Sequence, residues 1–516
     1  MRPQLIIPMS GLGKRFLKEG YKLPKPLIQV LGKPIIAHVL EMFDGWDDVL
    51  FIVNKDHLQN KDLDMEQILL GLKPSGKIVP IESHNYGPSF AVYQAKESVS
   101  KDRPVVVNYC DFAGEFDLKE YEKQLQNNDS VLLTYSGFHP HMLRSNKFAY
   151  VKKSPEGVVI DIKEKESYTD NPMGEYASAG SYGFKNGSLL IDAIEKQMRT
   201  QMSLNGEFYT SLTLKPILEN GFRVVDVEMR KFFQWGTPED LADFEYWSNA
   251  ISQVELDSPT NRDSKPQTTL ILAAGSGRRV AKKSNVPKPA LLVFKKKLWE
   301  MSERSCSKNS EIYLITQAET FPFLNVPKYI KSIVLSQPTR GQADSAIIGI
   351  RAIEDTASGP LHILASDNVL PKGFTSSAVT CLEDQDLNFV VWTVKNYPPA
   401  LLQPHHFSWV KIELSLVVDV VYKEAPPLND GDWRIISGNF TFKDKSEASN
   451  LIENLLGHVG ATINEEFYLD SLISLALELN LRIGAVEIPN YFSLGTADEI
   501  DTFHYWSKQK EVGFHD

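Results

Sequence analysis

The chain of 516 residues is predicted to be an α/β protein: two tandem, doubly wound domains, each around a mixed, mainly parallel sheet. Three observations carry that expectation. The length exceeds what one ordinary core organises and fits two cores of about 250 residues each. Short continuous apolar runs alternate with helical patterning, as in strands buried on both faces of a parallel sheet. The pattern also occurs twice, with "LIIPMSGLGKRF" and "KLPKPL" near the start matched by "TLILAAGSGRRV" and "VPKPAL" further on.

The elements follow in order. In the first half, apolar runs at residues 5–7, 50–53, 105–107 and 131–133 read as buried strands. After Pro34, residues Ile35, Ile36, Val39, Leu40 and Phe43 share one helical face, with Pro favourable at the helix start. The second half repeats the strands at residues 270–272, 312–315, 362–364 and 389–391. Matching positions, Gly11 with Gly275, Lys25 with Lys288, Asp111 with Asp367, Glu207 with Glu466 and Gly236 with Gly495, keep a nearly constant spacing. Small loop insertions account for the drift. The halves also end alike, "WGTPEDLADFEYWSNA" and "LGTADEIDTFHYWSKQ". Between them lies a polar, proline-containing stretch without apolar periodicity, an expected linker. The expected domains are therefore 1–250 and 267–516, with the linker at 251–266.

Composition narrows the function. A net charge of −11 argues against a general nucleic-acid binder, because phosphate-backbone affinity needs clustered Lys and Arg. No apolar run reaches the ~18 residues of a membrane span, and the first residues lack a signal-peptide pattern, so a cytoplasmic protein is expected. Homo-oligomerisation stays open. The three cysteines, Cys110, Cys306 and Cys381, have no metal-ligand spacing and read as free buried thiols.

Doubly wound sheets bind ligands beyond the carboxyl ends of their strands, which is where the loop from Ser10 to Arg15 falls. Gly11 and Gly13 let backbone N–H groups approach an anion, and Lys14 and Arg15 add positive charge. The loop is neither a GxxxxGK[ST] phosphate loop nor a full GxGxxG fingerprint. Lys25, held between two prolines, has a constrained backbone direction.

These residues together with "PKPLIQVLGKP", the strand end "PVVVNYCDF", "IKEK", "SAGSYGF" and "WGTPEDL" resemble the nucleotidyltransferases that activate sugar 1-phosphates. The opening and closing motifs look most like the branch found in surface-polysaccharide biosynthesis. The likeness spans residues 4–247 and, more faintly, 268–507. It implies a Rossmann-like fold in each half and an enzyme that takes an NTP and a small phosphorylated acceptor, releases pyrophosphate and uses Mg²⁺. By the family pattern Ser10, Gly11, Gly13, Lys14 and Arg15 would wrap the triphosphate, and Lys25 would bridge the reacting phosphates. Gly87 would border the base and Asp111 would hold Mg²⁺. Glu164 and Lys165, beside Gly180, would meet the acceptor. The pair is expected in a β-hairpin, where neighbours face opposite sides.

Two departures stand out. The family commonly has an Asp two residues before the Gly-Thr, where this chain has Gln234 and, in the second half, Ser493. The metal site is thus either incomplete or completed by another acid such as Asp226 or Glu228. In the second half, Gly275, Gly277, Arg279, Lys288, Gly341 and Asp367 keep the nucleotide side. The acceptor side reads as eroded: "FKKKLWEMSERSC" loses the Gly-Lys-Pro turn and the apolar helix face, and Tyr422 precedes Lys423, leaving Glu424 as the substitute acid. The first half is expected to be the active transferase. A protein that binds nucleotide sugars without turnover is the alternative.

Overall fold

Gln4–Met9 is the central strand of the first unit, and its neighbours explain its composition. It runs parallel to Val49–Asn54 on one side and to Val105–Asn108 on the other, with Leu5, Ile6 and Ile7 fully buried. In the computed structural model, which describes residues 2–256, 265–275, 277, 286–354, 359–457 and 466–510, the chain divides into two compact units, Met1–Glu245 and Tyr246–Asp516. The division falls within the helix Pro238–Leu256.

The sheet of the first unit runs Val159–Glu164, Ala149–Lys153, Tyr176–Phe184, Val105–Asn108, Gln4–Met9, Val49–Asn54, Lys77–Ile81. Ser130–Tyr135 pairs with Tyr176–Phe184 and carries Val224–Glu228 in parallel. The parallel strands form one end of the sheet, while the Tyr176–Phe184 region is antiparallel, so the sheet is more evenly mixed than the apolar runs suggest. Tyr176–Phe184 pairs with three strands by changing register between Ser178 and Tyr182. Gly180 lies at that break with φ +100°, a backbone conformation that L side chains avoid. The helix Ile35–Glu41 forms after Pro34 as expected, burying Ile35, Ile36, Val39 and Leu40.

The second unit has its own sheet and its own core. Leu361–Ala365, Gln267–Ala273, Ser310–Gln317 and Lys331–Leu335 form its parallel part. Its other part differs from the open, doubly wound sheet expected. Asp432–Phe442 pairs with Phe389–Val394 and Ser408–Glu413; Leu416–Tyr422 and Ile483–Glu487 complete a closed ring, a small barrel rather than a Rossmann-like layer. The length of Asp432–Phe442 makes this closure feasible. Its end from Phe440 to Phe442 pairs with Leu361–Ala365, and its start pairs with Ser408–Glu413, with the positive-φ Gly438 between.

The expected loss of the second half's turn does not occur. Leu292–Val293 and Lys296–Lys297 pair as a short hairpin, as Gln29–Val30 and Lys33–Pro34 do in the first unit. Phe294 and Lys295 adopt the positive φ that Leu31 and Gly32 take there. The helix Leu298–Glu303 also keeps an apolar face, burying Leu298, Trp299 and Met301. Among the described residues, no helix is long and apolar enough to cross a membrane.

Candidate active site

The strand ends and the loop after Gln4–Met9 enclose a cleft of about 390 Å³. Ser10, Gly11, Gly13, Lys14, Arg15, Lys25, Gly87 and Asp111 all line it, so residues far apart in sequence converge on one cleft. Each is placed for a local reason. Gly13 has φ +61°, which turns the chain into the short helix Lys14–Lys18 and aims two basic residues at the opening. A side chain at Gly11 would meet nothing within 4 Å, so that backbone borders open space where a ligand can approach.

Lys25 opens the 3-10 turn Lys25–Leu27, and its Nζ donates to Asp111 Oδ2 at 2.9 Å. This pair is mostly shielded from water and joins the proline-flanked lysine to the end of Val105–Asn108. Gly87, φ +85°, lies against the Phe208 backbone; Phe208 N–H donates to the Tyr86 carbonyl, and Ser89 N–H to the Phe208 carbonyl. Those bonds hold Glu207 and Tyr209 at the cleft.

Glu164 and Lys165 do not line the cleft but stand beside it. Lys165 is not on alternating hairpin geometry, because it leaves the strand with φ +57°. Its Nζ donates to Tyr209 Oη, which in turn donates to Glu207 Oε2, so the lysine is tied to the cleft wall. Glu164 accepts from Ser211 Oγ at 2.5 Å, and burial raises its carboxyl above the usual range. Gly180 is occupied within the fold. Its carbonyl accepts from Tyr109 N–H and its N–H donates to Ser178 Oγ.

Three cleft features had no clear signal in the sequence. His84 and Asn85 line it beside Gly87, and Lys14 Nζ donates to Asn85 Oδ1. His84 Nδ1 accepts from Tyr86 N–H at 3.2 Å, which leaves the proton on Nε2, facing Ser10 Oγ at 3.4 Å. Burial lowers its pKa, so it is a neutral donor at pH 7. Tyr209 lies two residues after Glu207, and only the match of Glu207 with Glu466 pointed to this stretch.

Neither substitute acid named for the metal lines this cleft. Asp226 is bonded to Lys153 at 2.9 Å and to Thr134, and Glu228 accepts from Ser136, all on the strands Ser130–Tyr135, Ala149–Lys153 and Val224–Glu228 or next to them. Gln234 does flank Asp111: it pairs across the strands with Phe112, and Trp235 N–H donates to the Asp111 carbonyl. Among the described residues, no group of three or more His, Cys, Asp or Glu could hold a metal. Asp111 still fits Mg²⁺, which commonly takes one or two carboxylates and draws its other ligands from phosphates and water. Cys110, also on the cleft, has its thiol pushed up to about 12 by burial, and the three cysteines are free.

In the second unit Lys288 Nζ donates to Asp367 Oδ2 at 2.6 Å and to the Gly495 carbonyl at 3.3 Å. Gly277 has φ +61°, like Gly13, and Gly275 borders open space. Gly341, φ +127°, lies against the Phe467 backbone as Gly87 does against Phe208. Arg279 lies outside the described residues.

Comparison with known proteins bears on the first unit. The chain is 25% identical over 253 residues to the bifunctional protein GlmU of Methanococcus maripaludis, covering 48% of this chain and 56% of that protein. It is 32% identical over 94 residues to UTP–glucose-1-phosphate uridylyltransferase 1 of Staphylococcus saprophyticus, covering 17% of this chain and 31% of that one. The chain thus spans about half the length of the GlmU proteins it matches. Among solved structures, a nucleoside-diphosphate-sugar pyrophosphorylase from Vibrio cholerae is similar at 20% identity and a TM-score of 0.39, over 47% of this chain and 99% of that one. The nucleotidyl transferase family model matches residues 5–248, which include the sheet of the first unit from Leu5 onward.

Proposed function

We propose that the first unit transfers a nucleoside monophosphate from an NTP to a sugar 1-phosphate or similar small phosphorylated acceptor, releasing pyrophosphate. The observation that supports this best is the convergence of Lys14, Arg15, Lys25 and Asp111 on one cleft, with Lys165 and Glu164 next to it. That set suits a molecule bearing phosphates on one side and hydroxyls on the other. A precursor for surface polysaccharide is the product class this reading favours.

An acceptor phosphate oxygen attacks the α-phosphorus in line, the bond to the β-phosphate oxygen breaks, and pyrophosphate leaves. The chain's task is to position the reactants and offset their charge. Lys14 and Arg15 hold the leaving phosphates, and Lys25 lies where it can neutralise both the α-phosphate and the incoming oxygen. Lys165 meets the acceptor phosphate, and Glu164 accepts from its hydroxyls. Asp111 would hold Mg²⁺, which supplies positive charge to the triphosphate when bound. His84 and Asn85, beside Gly87, face the nucleotide.

The second unit reads as a diverged tandem copy. Its support is the matching Lys288–Asp367 pair and the matching Gly341–Phe467 contact. Gln234 favours a second reading for the whole protein, binding of nucleotide sugars without turnover, because a neutral amide stands where a carboxylate would share the metal. Pyrophosphate release from four NTPs against a dozen phosphorylated acceptors, with Mg²⁺, tests the proposal; nucleotide-sugar binding without any release would favour the second reading.

A further inference from the structure

We infer that Tyr209 is a positioning residue for the acceptor: anchored by Glu207, its hydroxyl holds the Lys165 ammonium at the edge of the cleft, ready for the acceptor's phosphate. This rests on the transferase reading of the first unit.

The three side chains form a hydrogen-bonded chain whose direction is fixed by chemistry. An ammonium can only donate and a carboxylate can only accept, so the single proton of the Tyr209 hydroxyl goes to Glu207 Oε2 and its lone pair faces Lys165 Nζ. Burial, with Glu207 beside it, pushes the Tyr209 hydroxyl up, so it keeps that proton at neutral pH. A hydroxyl that donates to an anion is polarised into a better acceptor. Glu207 thus steadies Lys165 without touching it.

In a direct ion pair the carboxylate would occupy the lysine, and an incoming phosphate would have to displace it. With a neutral hydroxyl between them, Tyr209 takes one of the three ammonium donors and leaves two for phosphate oxygens. The Tyr209 ring adds a second hold, its centre 4.4 Å from Lys165 Nζ. The Lys165 backbone is itself held at φ +57°, a conformation that costs free energy and concentrates at functional sites. An ammonium placed in advance spares the acceptor the entropy cost of ordering a long, flexible side chain.

Tyr209 can serve as a fixed point because the backbone around it is fastened. Gln197 Nε2 donates to its carbonyl at 2.9 Å, and the following Thr210 N–H donates to Tyr109 Oη at 3.2 Å. The preceding Phe208 is bonded through its N–H and carbonyl to Tyr86 and Ser89. Glu207 is held by reciprocal backbone bonds with Leu204, each of 3.0 Å. Both Glu207 and Tyr209 line the cleft, which places the end of Lys165 at its rim.

The test is steady-state pyrophosphate release by the full chain. Glucose 1-phosphate, glycerol 3-phosphate and inositol 1-phosphate are tried with each of the four NTPs, and the most productive pair is kept. Tyr209→Phe removes the hydroxyl and keeps the ring, and should raise the acceptor KM roughly tenfold while the KM for NTP moves less than about twofold. A merely structural role would move both constants and the melting temperature together. Lys165→Ala should raise the acceptor KM at least as far, and adding Tyr209→Phe to it should cost nothing more, because the tyrosine acts through that lysine. Glu207→Gln leaves the hydroxyl but weakens its anchor, and should move the acceptor KM the same way by a smaller factor. It carries the test if the Tyr209→Phe chain melts well below wild type. An acceptor KM unchanged in Tyr209→Phe, equal rises in both constants, or fully additive losses in the double variant refute the role of Tyr209 and leave the transferase reading standing. An acceptor KM unchanged in Lys165→Ala shows that the lysine does not meet the phosphate, and the inference falls. A wild-type chain that releases no pyrophosphate with any pair removes the transferase reading, and this inference with it.

Discussion

Lys25 and Asp111 form an ion pair that lines the cleft, and the proposed reaction assigns them different work. Asp111→Asn keeps the shape and removes the charge that would hold Mg²⁺, so turnover should fall roughly 100-fold or more. Its melting temperature should stay close to wild type, and near-full activity at limiting Mg²⁺ would show that Asp111 is no metal ligand. Lys25→Ala should lower kcat by roughly 100-fold with little change in the KM for NTP, since its charge matters most as the new bond forms. Arg15→Ala should mainly raise that KM. Steady-state kinetics with the best NTP separates the two, and equal losses confined to NTP affinity would contradict the division. Asp111 was legible from its place at the end of an apolar strand. His84 was not, because its role depends on the Tyr86 N–H that fixes its tautomer, and no spacing encodes that bond.

At the level of elements, turns and helix starts carry the site. Gly87 has φ +85°, and a Cβ there would lie 2.8 Å from the Phe208 backbone. Gly87→Ala should therefore cost about 2–4 kcal/mol by combining left-handed strain with overpacking. It should also weaken NTP binding, because Glu207 and Tyr209 flank Phe208. Urea unfolding and an NTP titration would read both effects. The helix Pro238–Leu256 opens with Asp240, which accepts from Thr237 N–H and lies 3.5 Å from Arg144. Burial outweighs Arg144 and pushes Asp240 up from 3.8 to about 6. The folded state therefore holds this proton more tightly than the unfolded chain does. Its contribution to stability is fully present below about pH 4, declines as pH rises to about 6, and is constant above. Asp240→Asn, which keeps an acceptor for Thr237, should flatten the fall in stability between pH 4 and 6 relative to wild type. Melting at pH 4, 5, 6 and 7 checks this; parallel curves for the two proteins would exclude the assignment.

Across the molecule, the repeat raises the question of whether the halves share one task. Lys25→Ala and Lys288→Ala remove the lysines of the two Lys–Asp pairs. Assayed with the acceptor the wild type uses best, the first should lose nearly all activity and the second little. Losses of about half in each would mean two equivalent sites. The sequence by itself determined the buried strands, the basic loop and the positions repeated in both halves, because apolar runs, prolines and glycines act locally and leave a pattern wherever they are needed. Only the tertiary structure decided the sheet's antiparallel half, the ring of strands around Asp432–Phe442, and the hydrogen bonds that Asp226 and Glu228 make to Lys153 and Ser136. Those outcomes depend on which distant groups come within hydrogen-bonding reach. A 2.5 Å contact between Ser211 and Glu164 joins residues 47 apart in the chain, and no local pattern records it.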